Sequence, residues 1–299
     1  MRPLALGLLC GLLVAAATAG ARPCGDDVGG RAVPCDCGDV LVGSRTLGAD
    51  DPITSRVCSE GGLLVAVPAD APAARLALGG HVLAGSGRGV GIQVVGGGAG
   101  GLTIAGPGGV RGFATGIQAV NGTLARLADV VAAENAADGF VLAGEGFAVV
   151  GSEAAHNGRD GFVLRGRRYR IERNRALANG RHGFVARGRQ AEIGGEGGNE
   201  ASGNGREGFR VRGQGHDVAR AVATANGGDG VRARLSDGRI AGAVAAANRG
   251  LGLRAAGHDL SVGDSEARDN GGGLDVHGAR LRDGGGNRAE RCRVGVACR

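Results

Sequence analysis

Apolar and polar positions alternate along most of this chain in one short, recurring phrase. In Gly161-Phe-Val-Leu-Arg-Gly166, Phe162 and Leu164 point one way and Val163 and Arg165 the other, which is the period of a β-strand. The opening glycine-apolar pair recurs as Gly91-Ile92, Gly116-Ile117, Gly139-Phe140, Gly183-Phe184, Gly208-Phe209, Gly230-Val231, Gly252-Leu253, Gly273-Leu274 and Gly295-Val296. A second apolar spot follows each phrase (Val149-Val150, Ile171, Val218, Ile240) and predicts a second short strand. Alanine-rich pieces such as Ala176-Leu177-Ala178 then lead back to an asparagine.

Those asparagines stand at 135, 157, 179, 204, 226, 248 and 270, in steps of 22 residues with one step of 25. Such constant self-similarity marks a solenoid, whose units bury their apolar faces only against their neighbours. The leucine-rich spacing L-x-x-L-x-L-x-x-N is absent and leucine is sparse, so the strands predict an all-β fold: a single-stranded, right-handed parallel β-helix of about 22 residues per coil. Asn135, Asn157, Asn179, Asn204, Asn226, Asn248 and Asn270 are then structural. They suit the positive φ of tight bends and can hydrogen-bond amide to amide along the axis. Phe140, Phe162, Phe184 and Phe209 are expected to form an internal stack.

The repeats resemble the right-handed parallel β-helix family, which includes pectate lyases, polygalacturonases, alginate epimerases and many uncharacterised exported proteins. The segment CDCGDVLVGSRTLGADDPITSRVC (Cys35 to Cys58), followed by LALGGHVLAGSGRGVGI (Leu76 to Ile92), is similar to the entry region of that last group. The resemblance implies a capped β-helix. Enzymes of the family carry carboxylate clusters on one outward sheet face, but no such motif maps here. The alginate-epimerase signature Asp-Pro-His-Asp is missing, since Asp51-Pro52 is followed by Ile53-Thr54.

The first 21 residues join Arg2, an apolar run from Leu4 to about Ala17, and Ala19-Gly20-Ala21, the layout of a secretory signal peptide cleaved near Ala21. The run is too short to span a bilayer. The expected location is therefore secreted, periplasmic or at the cell surface. Beyond the leader come a cap over 22–62, the β-helix over 63–290 and a C-terminal cap over 291–299. Six cysteines remain in the mature chain, an even count that suggests disulfides and allows fifteen pairings. Cys35-x-Cys37 has no histidine nearby to complete a metal site. A solenoid must cover its ends, and Cys292–Cys298 is expected to close the last turn, with Cys292 near the asparagine slot. Cys24–Cys35 and Cys37–Cys58 are expected at the start, the latter partly from the resemblance.

The residues before the repeated glycines form a column: Asp138, Asp160, His182, Glu207 and Asp229. Neighbouring coils lie ~4.8 Å apart, so Asp138 and Asp160 are the candidate pair for Ca²⁺, although solvated turn charges describe the column as well. No other cofactor and no catalytic residue is indicated. His216-Asp217 and His258-Asp259 are expected in surface loops. All basic residues are arginine, 35 in total, and residues 156–254 hold nineteen of them against nine acids. Alternation sends Arg165, Arg187, Arg210, Arg212, Arg232, Arg234 and Arg254 outward on successive coils. Arginine forks at ~4.8 Å intervals suit carboxylates or sulfates on an extended anionic polysaccharide. They also keep a sheet face soluble. With no Trp and one Tyr the chain lacks the stacking surface for neutral glycans or nucleic acid.

Overall fold

The computed structural model describes residues 21–66, 73–96, 101–120, 124–293, 295, 297 and 298. The signal peptide expected over 1–21 lies outside the described residues up to position 20, as does Val296 of the last glycine-apolar pair. Each coil contributes one short strand to each of three parallel sheets. Among the described residues, sheet 1 has 13 strands, from Pro23–Cys24 to Cys292–Arg293. Sheet 2 has 11, from Arg45–Thr46 to Arg282–Gly285, and sheet 3 has 11, from Val57–Cys58 to Arg288–Ala289. The helical element among the described residues is a single 3₁₀ turn, Pro52–Thr54. Crossovers between parallel strands take the right-handed sense, and the fold is the right-handed parallel β-helix that the repeats predict.

The alanine-rich pieces are not connectors but the strands of sheet 3, as at Asn174–Leu177. Their two-residue alternation was hidden because alanine carries little apolar contrast. Residues 40–58 already supply a strand to every sheet, so the N-terminal cap is continuous with the helix.

The core is a set of columns. In sheet 1, Leu63, Ile92, Ile117, Phe140, Phe162, Phe184, Phe209, Val231, Leu253 and Leu274 stand in register and buried. The rings of Phe140, Phe162, Phe184 and Phe209 stack 4.7–4.8 Å apart. Cys292 pairs with Leu274 and so continues this column; it does not stand at the asparagine slot, because the last coil is shortened.

From Asn157 onward each asparagine Oδ1 accepts both the backbone N–H and the Nδ2 of the asparagine one coil earlier, as Asn204 does from Asn179 at 3.0 and 2.9 Å, while Asn135 at the start accepts the Phe113 N–H. The Nδ2 also donates to a backbone carbonyl, Ala176 in the case of Asn204. The left-handed backbone, however, belongs to the preceding residues: Glu134, His156, Ala178, Ala225, Ala247 and Asp269 have φ of 51–56°. The asparagines are therefore selected for their amides and not for their φ. A second ladder, Ser152–Asn174–Asn199, does the same between sheets 2 and 3.

Cys24–Cys35 and Cys37–Cys58 close the start, and Cys292–Cys298 closes the end. Buried Asp51 knits the cap, accepting from the Cys35 N–H at 2.7 Å, the Gly48 N–H at 2.8 Å and the Arg45 guanidinium. No helix among the described residues is long and apolar enough to cross a membrane.

Candidate functional site

The outer face of sheet 1 carries all seven candidate arginines, in two columns set by strand register. Arg210, Arg232 and Arg254 follow Val163 and Val185 in the first; Arg165, Arg187, Arg212 and Arg234 form the second. The columns differ in their electrostatics. Arg232 donates to Glu207 at 3.1 Å, and Arg254 approaches Asp229 at 3.4 Å. Arg210 meets the His182 Nε2 at 3.3 Å. In the second column no carboxylate stands within ion-pair distance of Arg165, Arg187, Arg212 or Arg234 among the described residues. The Arg212 guanidinium is pushed below the usual arginine range, first by the charge of Arg210, then by burial, then by Arg234, Arg187 and Arg232. This is a concentrated positive field without local compensation.

A third column was not foreseen. Arg167 and Arg189 lie in register beyond a row of glycines, Gly144, Gly166, Gly188 and Gly213. Gly166 and Gly188 have φ of 138° and 135°, and a Cβ on either would lie 1.7 Å from the glycine carbonyl of the coil before. The result is a shallow open groove with a bare backbone floor, walled by Arg165 and Arg187 on one side and Arg167 and Arg189 on the other. Arg167 is paired with Glu145 at the groove's end. The signal for this wall is present in the sequence, since Arg165-Gly-Arg167 and Arg187-Gly-Arg189 repeat the same spacing, but the intervening glycine interrupts the apolar-polar alternation.

The acidic column is not solvated, as its turn position had suggested. Asp160, His182, Glu207 and Asp229 are buried, and Asp138 is half-buried. The three aspartate carboxylates are drawn inward because each accepts a backbone N–H of the next coil, whereas Glu207 is held by His182 and Arg232. Asp138 takes that of Asp160 and Asp160 that of His182, both at 3.0 Å, while Asp229 takes that of Leu251 at 2.9 Å. Asp138 and Asp160, the candidate Ca²⁺ pair, each spend one oxygen in this ladder.

Arginine can only donate, so the His182 Nε2 accepts from Arg210 and the proton sits on Nδ1, 2.9 Å from Glu207 Oε2. That oxygen stands off the N–H direction, which makes the contact electrostatic more than directional. Interaction with His182, helped by Arg232 against the cost of burial, lowers the Glu207 pKa to about 2.

His216 is also buried rather than in a surface loop, because both ring nitrogens serve the backbone: Nδ1 accepts from the Ala191 N–H at 3.0 Å and Nε2 donates to the Arg212 carbonyl at 3.2 Å. His258 is exposed beside Asp259 at 3.2 Å, with Asp237 close by. Those three residues could hold a cation, but Arg280 already pairs with Asp259 at 2.6 Å.

No protein-family model and no curated protein sequence matches the chain. Solved structures do. A mutant of the periplasmic alginate epimerase AlgG superposes with a TM-score of 0.48 at 14% identity over 83% of this chain and 74% of that one. The A-module of Azotobacter vinelandii mannuronan C-5 epimerase AlgE4 gives 0.37 at 15% identity over 87% and 90%. These likenesses concern coil architecture.

Proposed function

We propose that the chain is an exported, non-enzymatic β-helix protein that binds acidic polysaccharide along the outer face of sheet 1. The observation that carries this reading is continuity. Sheets 2 and 3 also expose arginines with no carboxylate in ion-pair distance among the described residues, such as Arg75, Arg126, Arg111 and Arg288, but each stands singly, with no arginine beside it in register. Others there are paired, Arg175 with Glu153 and Glu200 at 3.1 and 3.2 Å and Arg170 with Glu172 at 3.1 Å. Outward arginine that served solubility alone would be expected to stay scattered or paired in this way. Instead Arg165, Arg187, Arg212 and Arg234 face solvent in four successive coils without acids, at a cost in mutual repulsion. A polyanion with charges every few ångströms relieves that repulsion, and guanidinium forks match carboxylate and sulfate. Three disulfides fit an oxidising compartment, where such polymers occur.

A second reading, a diverged polysaccharide lyase, hydrolase or epimerase, draws on His182 and Glu207 at the margin of this face. Yet His182 is 1% exposed, and a carboxylate with a pKa near 2 is a poor base at neutral pH. Calorimetric titration with heparin, polygalacturonate and alginate separates the readings when each mixture is also assayed for unsaturated, shortened or epimerised products. Saturable, salt-sensitive binding without product is expected. Turnover of any polymer would establish the second reading, and absence of binding at low salt would leave the first without support.

A further inference from the structure

Beneath the glycine floor of the groove runs a buried column of rings. Phe147 and Tyr169 stack at 5.0 Å, and the tilted ring of His216 lies 6.4 Å from Tyr169. The first member is apolar; the next two carry polar atoms aimed at the arginine strands. The Tyr169 hydroxyl donates to the Arg187 carbonyl at 3.4 Å. His216 Nε2 donates to the Arg212 carbonyl, while its Nδ1 accepts the Ala191 N–H. Both carbonyls belong to the unpaired arginine column, and in each strand the next residue is a floor glycine, Gly188 or Gly213, with φ of 135° or 146°. At these points the strand departs from regular geometry, so the direction of the arginine above is fixed by what holds its carbonyl below.

We propose that His216 is a positioning residue for the arginine face and performs this role only as a neutral ring, so that acid releases a polyanion bound there. The inference rests on the binding function proposed above.

The chemistry is one of donor and acceptor count. A neutral imidazole has one N–H and one lone pair, and both are used. An imidazolium has two N–H groups, so Nδ1 would face the Ala191 N–H donor to donor. The new charge would also lack a partner. No carboxylate pairs with the ring among the described residues. The groups in contact with it are the Tyr169 ring, the Ala191 amide and two backbone carbonyls, of Arg212 and Gly188. The charged side chains of the strands packed against it, Arg187, Arg189, Glu192, Arg210, Arg212 and Asp217, sit on outward positions. Four of those six are cations. Burial accordingly lowers the His216 pKa, against the opposing pull of the Arg212 and Gly188 carbonyls. The strut is therefore complete above the ordinary histidine pKa of ~6.5 and is lost as pH falls through the lower folded value. His258 and His277, exposed on the same sheet, are common to both proteins compared below, so a difference between the two is diagnostic of the buried ring.

The test compares wild type with His216→Gln, whose side-chain amide can accept from Ala191 and donate to Arg212 but cannot titrate in this range. Heparin is the probe, because its sulfates stay ionised from pH 7.5 to 4.5. Wild-type affinity should fall, by roughly tenfold per pH unit once the ring titrates, while the Gln variant holds or tightens. Equal pH slopes in the two proteins would overturn the proposal. Hydrogen exchange at the Ala191 amide, corrected for intrinsic pH dependence, reads the strut without any ligand. Acid-enhanced opening in wild type alone supports the proposal even if heparin does not bind at all, an outcome that removes only the functional reading. If the Gln variant does not fold, imidazole ¹⁵N resonances of the wild type decide. An Nε2–H tautomer that titrates together with Ala191 opening supports the role, and a ring already protonated at neutral pH contradicts it.

Discussion

Replacing Asn204 by alanine cuts the main amide ladder at its centre. Four hydrogen bonds disappear: Oδ1 no longer accepts from the Asn179 N–H and Nδ2, and Nδ2 no longer donates to Asn226 Oδ1 and the Ala176 carbonyl. Losses on the two sides differ. Asn226 Oδ1 keeps the Asn204 N–H and Asn179 Nδ2 keeps the Ala154 carbonyl, but the buried Asn179 N–H is left with nothing. One orphaned donor costs ~1–3 kcal/mol and each of three lost bonds ~0.5–1.5, giving about 3–7 kcal/mol in all. Asn270, half-buried at the ladder's end, is the control, because water can replace its partners. Its alanine variant should lose about 1 kcal/mol. Urea unfolding gives the global figure, and hydrogen exchange at the Asn179 amide gives the local one. Equal losses at the two sites, or a loss at Asn204 below about 1 kcal/mol, would mean that the ladder is incidental to stability.

Phe184→Ala should cost ~3–5 kcal/mol, since its ring lies stacked between Phe162 and Phe209 in a core with no exposure; an unchanged melt would refute the alternation that turns the arginines outward. Glu207, whose folded pKa is lowered to about 2, stabilises above its ordinary carboxyl pKa, and this is lost as pH falls toward 2. Stability should therefore drop by on the order of 2–3 kcal/mol across that window, and the drop should be smaller in Glu207→Gln. Reducing Cys24–Cys35, which closes a separation of 11 residues, should lower stability by ~3 kcal/mol, with hydrogen exchange rising first in residues 22–60. Uniform protection after reduction would argue against its capping role.

The coil was legible because period and alternation are both written in large side chains: Phe162 and Leu164 against Val163 and Arg165 left no doubt about the first strand. The third sheet was not, since Ala154, Ala176 and Ala201 fill the inward positions of strands with little apolar contrast. The arginine column was legible for the same reason as the phenylalanines, but its division into paired and unpaired members was not. Arg232 and Glu207 are 25 residues apart, and their meeting depends on the offset between the turn and the strand. Histidine was the least readable residue. His216 and His258 occur in the same Gly-His-Asp context, yet one is sealed beneath the sheet and the other exposed, because they stand at different places in the coil: His216 immediately precedes the sheet 2 strand that begins at Asp217, whereas His258 aligns with Ser236 and Gln214 at the end of the sheet 1 strand.

If the unpaired arginine column of sheet 1, and not net charge, engages a polyanion, two charge-matched variants will part company on immobilised heparin. Arg187, Arg212 and Arg234 become serine in one, and Arg170, Arg175 and Arg239, on sheets 2 and 3, become serine in the other. Exposed ionic contacts are screened over ~8–10 Å near physiological salt, so the salt concentration for elution reports how many contacts form. The first variant should elute at far lower salt than wild type and the second close to it. Equal losses in the two variants, or no retention of wild type at low salt, would rule out the column as the binding element.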